Sequence, residues 1–182
     1  HIIAKGYSGI YEKEYIRKDG TVFPVELNSY LIRDTQGNAV GMWGIARDIT
    51  ERKKARKALQ ESEEKYRQLF EHSLFGVVIC ELIFDETDDK AVDFYPLAIN
   101  EAVEKHTGYK REDFVNKYAT DIFTEKDLEK PLEIFGNVVA KIKAQSFTHY
   151  VQTFNRILFI TAYPLHGNLF GIGFMDVTEQ KK

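Results

Sequence analysis

Residues with reactive side chains are few in this chain and poorly spaced for chemistry. Cys80 is the one cysteine. It stands inside the apolar run 75–84 (FGVVICELIF), where a thiol is ordinarily an inert small hydrophobe rather than a nucleophile. His106 falls just before Thr107-Gly108, near a helix end whose dipole favours a protonated imidazole. His149 and His166 lie in strand or turn sequence without metal-ligand spacing, so no metal is assigned. Asp121, Glu125 and Asp127 cluster around Thr124. They could hold a cation, although acidic residues just after a threonine are also the pattern of a helix start. No nucleophile comes with an identifiable base, and no carboxylate pair can be assigned acid–base work. The chain is therefore not expected to be an enzyme and has no catalytic residues to nominate. The basic run Arg52, Lys53, Lys54, Arg56, Lys57 lacks a recognition helix or an aromatic platform and reads as a solvated helix face.

Composition narrows the classes further. The 182 residues carry a net charge of −3, with 43% hydrophobic and 29% charged residues. That balance excludes a disordered chain, which could not offset its ordering entropy. Near-neutrality gives no general attraction to nucleic acid or an anionic membrane. No apolar run approaches the ~18–20 residues needed to cross a bilayer. The unpaired cysteine and the absence of a signal peptide predict a cytoplasmic protein, with any membrane attachment outside this segment. A typical domain of roughly 150 residues leaves about 30 residues to explain.

A repeat accounts for them. Asp48-Ile49-Thr50-Glu51-Arg52-Lys53-Lys54 recurs as Asp176-Val177-Thr178-Glu179-Gln180-Lys181-Lys182, 128 residues later. Upstream, Val25-Glu26-Leu27-Asn28-Ser29-Tyr30 matches Leu158-Phe159-Ile160-Thr161-Ala162-Tyr163 at an offset of 133. Two endings with one beginning predict a truncated first unit. Residues 10–17, 22–33 and 39–49 read as three strands, joined by an Asp19-Gly20 turn and a turn at residues 34–38. Residues 51–72 contain no Gly or Pro and read as a helix capped by Thr50. Ala55, Leu59, Ser62, Tyr66 and Leu69 mark its one sticky edge.

Residues 75–84 predict a strand with Val78, Cys80 and Leu82 inward. An acidic turn at residues 85–89 leads to a return strand over 92–97. Asn100 caps a short helix ending at Thr107-Gly108. A second short helix follows over 110–117. Thr124 caps a longer one through Gln145, with Pro131 predicting a late start or a kink. Strands at 147–154, 157–165 and 168–177 close an α+β unit.

The stretch Asn100-Glu101-Ala102-Val103-Glu104-Lys105-His106-Thr107-Gly108-Tyr109, the segment Ala162-Tyr163-Pro164-Leu165, the doubled Asp-x-Thr-Glu endings and the lead-in Leu59-Gln60-Glu61-Ser62-Glu63-Glu64-Lys65-Tyr66 together resemble the PAS family of sensory domains. The resemblance implies a five-stranded antiparallel sheet with helices on one face. It divides the chain into a three-stranded C-terminal half of a first PAS domain (1–50), a connecting signalling helix (51–73) and a complete second PAS domain (74–182). Residues upstream of His1 would cover the open face of the half-domain.

The resemblance further implies a region that senses and relays to an output outside this segment, most plainly a histidine kinase of a two-component system. The alternative is a ligand-free dimerisation scaffold of a cyclic-dinucleotide enzyme or a transcriptional regulator. The relay residues would be Asp48, Thr50, Asp176 and Thr178, where sheet meets outgoing helix. A cofactor is not identified. Flavin-adduct members carry a cysteine in the helices after the asparagine-led one, and haem members a histidine on the long helix. Residues 100–123 contain no cysteine and residues 124–145 no histidine, so flavin adduct and haem are not expected. A pocket would be lined by Val78, Cys80, Leu82, Ile122, Phe135, Ile160 and Ala162, and so would suit a small apolar ligand. Phe159, Thr161 and Tyr163 form an outward row that a helix or a second subunit of a homodimer would cover.

Overall fold

The structure, a computed structural model, describes residues 2–87 and 90–181. Asp88 and Asp89 of the expected acidic turn, and Lys182 of the repeat, lie outside the described residues. The chain divides into two compact units, His1–Lys65 and Tyr66–Lys182.

The first unit opens with a single helical turn, α1 (Ile2–Lys5), followed by the antiparallel meander β1 (Tyr11–Ile16), β2 (Val22–Arg33) and β3 (Ala39–Asp48). The turns between them hold Gly20 and Gly37 at positive φ, the conformation glycine adopts without a side-chain penalty. The register opposes Glu12 to Glu26, a like-charge pair that would weaken the sheet by itself. The helix α2 (Thr50–Glu71) resolves the conflict with its basic start: Arg52 reaches Glu26 at 2.7 Å and Lys53 reaches Glu12 at 2.6 Å. Two members of the run expected to be merely solvated thus neutralise the sheet. None of the residues of α2 is buried, and Leu59 and Tyr66 of its apolar edge are exposed. Val25, Leu27 and Ile49 are the buried apolar residues of the unit, while Met42, Trp43 and Ile45 on β3 are exposed.

In the second unit, β4 (Gly76–Phe84), β5 (Ala91–Ile99), β6 (Gln145–Val151), β7 (Arg156–Pro164) and β8 (Leu169–Asp176) form an antiparallel sheet in the order β5-β4-β8-β7-β6. The helices α3 (Glu101–Thr107), α4 (Arg111–Phe114), α5 (Ala119–Ile122) and α6 (Glu125–Lys141) connect its two parts, and a short 3-10 turn spans Thr178–Lys181. The fold is α+β and PAS-like, and its strands follow the order that the sequence predicts.

Two helix ends differ, and one helix is unexpected. The second short helix stops at Phe114 rather than residue 117, because Asn116 turns left-handed with φ 64. The long helix stops at Lys141 rather than Gln145, because Ile142 takes a left-handed cap conformation (φ 49) and Gln145 already pairs with Ala162. The one-turn α5 has no signal in the sequence beyond its buried Ala119. Inward residues of the sheet and helices make one core, in which Cys80, Ile99, Ala119, Val138, Ala162 and Phe170 are wholly buried.

Candidate functional site

A cavity of about 80 Å³ lies in the core of the second unit. Val78, Phe135 and Ile160 line it, as the parity of their strands and helix dictates. Cys80, Leu82, Ile122 and Ala162 do not, which corrects four of the seven expected positions. Cys80 pairs with Phe170 on β8, and the Phe135 and Phe170 rings, 4.9 Å between centroids, fill that end of the core. Leu82 is buried at the same end of β4, Ala162 is fully buried in the core without bordering the space, and Ile122 packs half-buried against the core. The empty space lies nearer the Val78 end, where Ile172 and Phe174 of β8 and Leu158 of β7 complete the wall. Burial pushes the Cys80 thiol well above its ordinary pKa, which makes it a poor nucleophile.

Three residues with polar side chains border the otherwise apolar cavity, and sequence reasoning missed their place there. Thr107, Asp127 and His149 line it along with the apolar residues. Asp127, only 3% exposed, completes a capping box with Thr124 at the start of α6. Its carboxylate also accepts from the amide of Gln152 at 2.6 Å, from the Thr153 amide at 3.2 Å and from the Thr153 hydroxyl at 2.7 Å. It therefore ties the helix start to the turn between β6 and β7. Burial alone would raise this carboxyl; the hydrogen bonds from Thr153, Gln152 and Thr124 outweigh it and hold the group below the usual range.

Pro131 sits inside α6 without delaying its start. It has no N–H to give the carbonyl of Asp127, four residues earlier. His149 Nε2, at 3.1 Å, takes that place. The Asp127 side chain and backbone are therefore both occupied by protein, and none of the cation ligation considered for Asp121, Glu125 and Asp127 is built. Among the described residues no group of three or more His, Cys, Asp or Glu is placed to hold a metal.

The start of the unit is held by a second polar cluster. Asn100, fully buried, caps α3 and accepts from the Val77 amide at 2.9 Å; its amide nitrogen donates to Phe70 O at 2.8 Å and Phe75 O at 2.9 Å. Arg111 bridges the Glu71 carboxylate at 3.1 Å and the carbonyl of Ile99. His106 Nε2 lies 2.9 Å from Leu74 O, and its ring packs near that of Phe174 on the cavity wall. The helix end expected for His106 is therefore a docking point for the chain that follows α2.

The two Asp-x-Thr corners have the same geometry. Asp48 Oδ1 accepts from the amide and hydroxyl of Thr50 at 2.9 and 2.6 Å, and its other oxygen pairs with Arg17. Asp176 accepts from the amide and hydroxyl of Thr178 at 2.9 and 2.5 Å and pairs with Arg156 at 3.1 Å. The second corner has one more bond: Ile157 donates its amide to Thr178 Oγ1 at 2.9 Å. The repeat places Pro24 at the matching position, and proline has no amide to give.

On the outer sheet face Phe159 is 41% exposed. Thr161 shares a hydrogen bond with Ser146 at 2.8 Å. Tyr163 differs from the expected exposed row. Its ring lies against Gly171, where any Cβ would collide with it, and burial raises its phenol pKa.

Among solved structures, the chain is similar to a domain of an HTR-like protein from Haloarcula marismortui (15% identity, 58% of this chain and 100% of that one, TM-score 0.46). It is also similar to a domain of a sensory box sensor histidine kinase/response regulator from Geobacter sulfurreducens (16% identity, 65% and 96%, TM-score 0.46), and to an RNA-binding Light-Oxygen-Voltage receptor (8% identity, 99% and 81%, TM-score 0.47). No curated protein matches the sequence. The family model described as PAS domain matches residues 2–51 and 81–179. It takes in both units and most of the chain, which therefore belongs to the PAS domain family of sensory and signalling modules.

Proposed function

We propose that this chain is the sensing and relay region of a signalling receptor, and that its output is a histidine kinase. In this reading residues 1–50 are the C-terminal half of a first PAS domain, residues 51–73 the connecting helix, and residues 74–182 a complete second domain. The observation that carries the reading is the doubled corner. Twice in the chain an aspartate at the end of a sheet strand holds, through the amide and hydroxyl of a threonine two residues on, the first turn of the helix that leaves the sheet. A rigid hinge of this kind converts a change in strand position into a change in helix direction.

The outer face of the second unit supports a homodimer contact around Phe159, with Thr161 beside it and Tyr163 packed down on the sheet. The kinase output draws support from the sensor histidine kinase named among the similar structures.

Asp176→Ala in the intact receptor tests the relay. The expected result is unchanged ligand affinity in the sensing domain and loss of the signal-dependent change in output. Normal signalling from that variant would remove the basis of the proposal.

A further inference from the structure

We propose, resting on the relay reading above, that His106 and Phe174 are positioning residues which join the segment entering the second unit to the Asp176 corner, so that a shift of that segment reaches the corner directly.

Entry and exit are neighbours in the sheet. Gly76, the first residue of β4, is the register partner of Phe174, near the end of β8. Their contact is closer than the register alone requires. The Phe174 ring lies so near the Gly76 α-carbon that any Cβ there would collide with it. Gly76 does not take a positive φ, so the ring, not the backbone, is what demands a glycine here.

His106 holds the same ring from α3. Its imidazole stands 6.1 Å from the Phe174 ring between centroids, at an interplanar angle of 60°, an edge arrangement that aromatic groups favour. The partner of His106 Nε2 is Leu74 O at 2.9 Å. A carbonyl only accepts, so Nε2 donates. The entering segment therefore reaches the Phe174 ring twice, directly at Gly76 and through His106 at Leu74.

Phe174 leads to the corner. Asp176 is the next residue on the same face of β8. Burial alone would raise its carboxyl; the hydrogen bonds from Thr178 and the charges of Arg156 and His106 outweigh it and hold the group low. The first corner is built differently at this point, since the repeat places Ala46 where the second has Phe174. Both corners share their Asp-x-Thr bonds, so the ring and its two contacts are what the second adds. A close-packed interior yields little, and a displaced ring passes its displacement on.

The test uses the 182-residue chain and amide exchange followed residue by residue by NMR. The readout is the Thr178 amide, which donates to Asp176. The Thr50 amide, bonded in the same way to Asp48, is the internal control. Gly76→Ala pushes the ring and is expected to speed Thr178 exchange about tenfold, with Thr50 unchanged. His106→Ala removes the contact with the ring and the bond to Leu74 O, and is expected to speed it about threefold. The two together should also give about threefold rather than the product, because the displaced ring moves into the vacated space. A merely structural loss of packing would instead multiply, and would raise exchange across β7 as well. A product of the two single effects, or a Thr178 rate that either single variant leaves unchanged, overturns the proposal. Should Gly76→Ala fail to fold, His106→Ala decides alone by the same criterion. No output domain takes part in these measurements, so their failure removes this route to the corner alone, and the relay reading falls only with Asp176→Ala.

Discussion

His149 Nε2 lies 3.1 Å from the backbone oxygen of Asp127, the oxygen that Pro131 leaves without its helical donor. A strand residue thus completes the hydrogen bonding of a helix that its own sequence interrupts. The arrangement predicts strong coupling between positions 131 and 149. His149→Ala alone leaves a buried carbonyl unpartnered and is expected to cost about 1–3 kcal/mol. In a Pro131→Ala background the new amide can serve the same oxygen, so the cost of losing His149 should fall by about 1 kcal/mol or more. Denaturant unfolding of the four proteins measures the coupling, and simple additivity would show that the histidine is not serving that carbonyl.

The acid limb of stability should depend on Asp127. Its carboxyl titrates below the ordinary value in the folded chain, whereas in the unfolded chain it titrates near 3.9. The unfolded state therefore binds more protons between the two values. The stabilisation is fully present above about pH 4 and is lost as pH falls through the folded value. Asp127→Asn is expected to lower stability at pH 7 by about 1–3 kcal/mol and to flatten the loss below pH ~4. Urea midpoints measured from pH 7 down to pH 3 decide this; equal slopes for both proteins would assign the acid limb elsewhere.

Asn100 joins four backbone groups that no regular ladder satisfies: Phe70 O, Phe75 O, Val77 N and Val103 N. Asn100→Ala is expected to destabilise the second unit by about 2–5 kcal/mol. It should also raise amide exchange at Val77 and in residues 70–76 well above that in β7. Asn100→Asp keeps the acceptor and removes the two donations. It should leave Val77 protected while residues 70–76 open, a split that a uniform loss of packing would not produce.

These three relationships also separate what could be read in the sequence from what could not. Period-two alternation in Val78, Cys80 and Leu82 is enough to place a buried strand face, and the Asn100 and Thr124 caps are enough to start two helices. Alternation does not say where along the face the core is incompletely filled. Cys80 and Val78 share a parity, yet the cavity lies beside Val78, because the aromatic pair Phe135 and Phe170 fills the other end. That outcome depends on side chains about 35 residues apart in sequence. Pro131 announces a missing donor to Asp127 O, but the sequence does not indicate that the replacement comes from His149, eighteen residues on. Left-handed residues such as Ile142 carry no local signature either, since β-branched side chains rarely adopt that conformation.

The close contact of Tyr163 with Gly171 yields a spectroscopic prediction. A Cβ at Gly171 would occupy the space of the tyrosine ring, so Gly171→Ala should turn the ring away from the sheet. Burial raises the phenol's pKa in the present arrangement, and exposure should bring it back toward about 10. Ultraviolet titration of the variant, with Tyr163→Phe used to identify the contribution, is the measurement. An unchanged titration would mean that the ring stays buried and the backbone of β8 has moved instead.

The two corners differ by the single bond that Ile157 gives to Thr178 and that Pro24 cannot give to Thr50. Thr50→Val and Thr178→Val remove the same contacts to Asp48 and Asp176, so their difference isolates that bond. Thr178→Val leaves the Ile157 amide without its acceptor at a part-buried position, and is expected to be more destabilising than Thr50→Val by about 1 kcal/mol. Pro24→Ile should supply an amide at the matching place in the first unit and make Thr50→Val as damaging as its counterpart. If the two threonine variants are equivalent before Pro24 is changed, the extra hydrogen bond adds nothing to the second corner, and the two hinges are equally stiff.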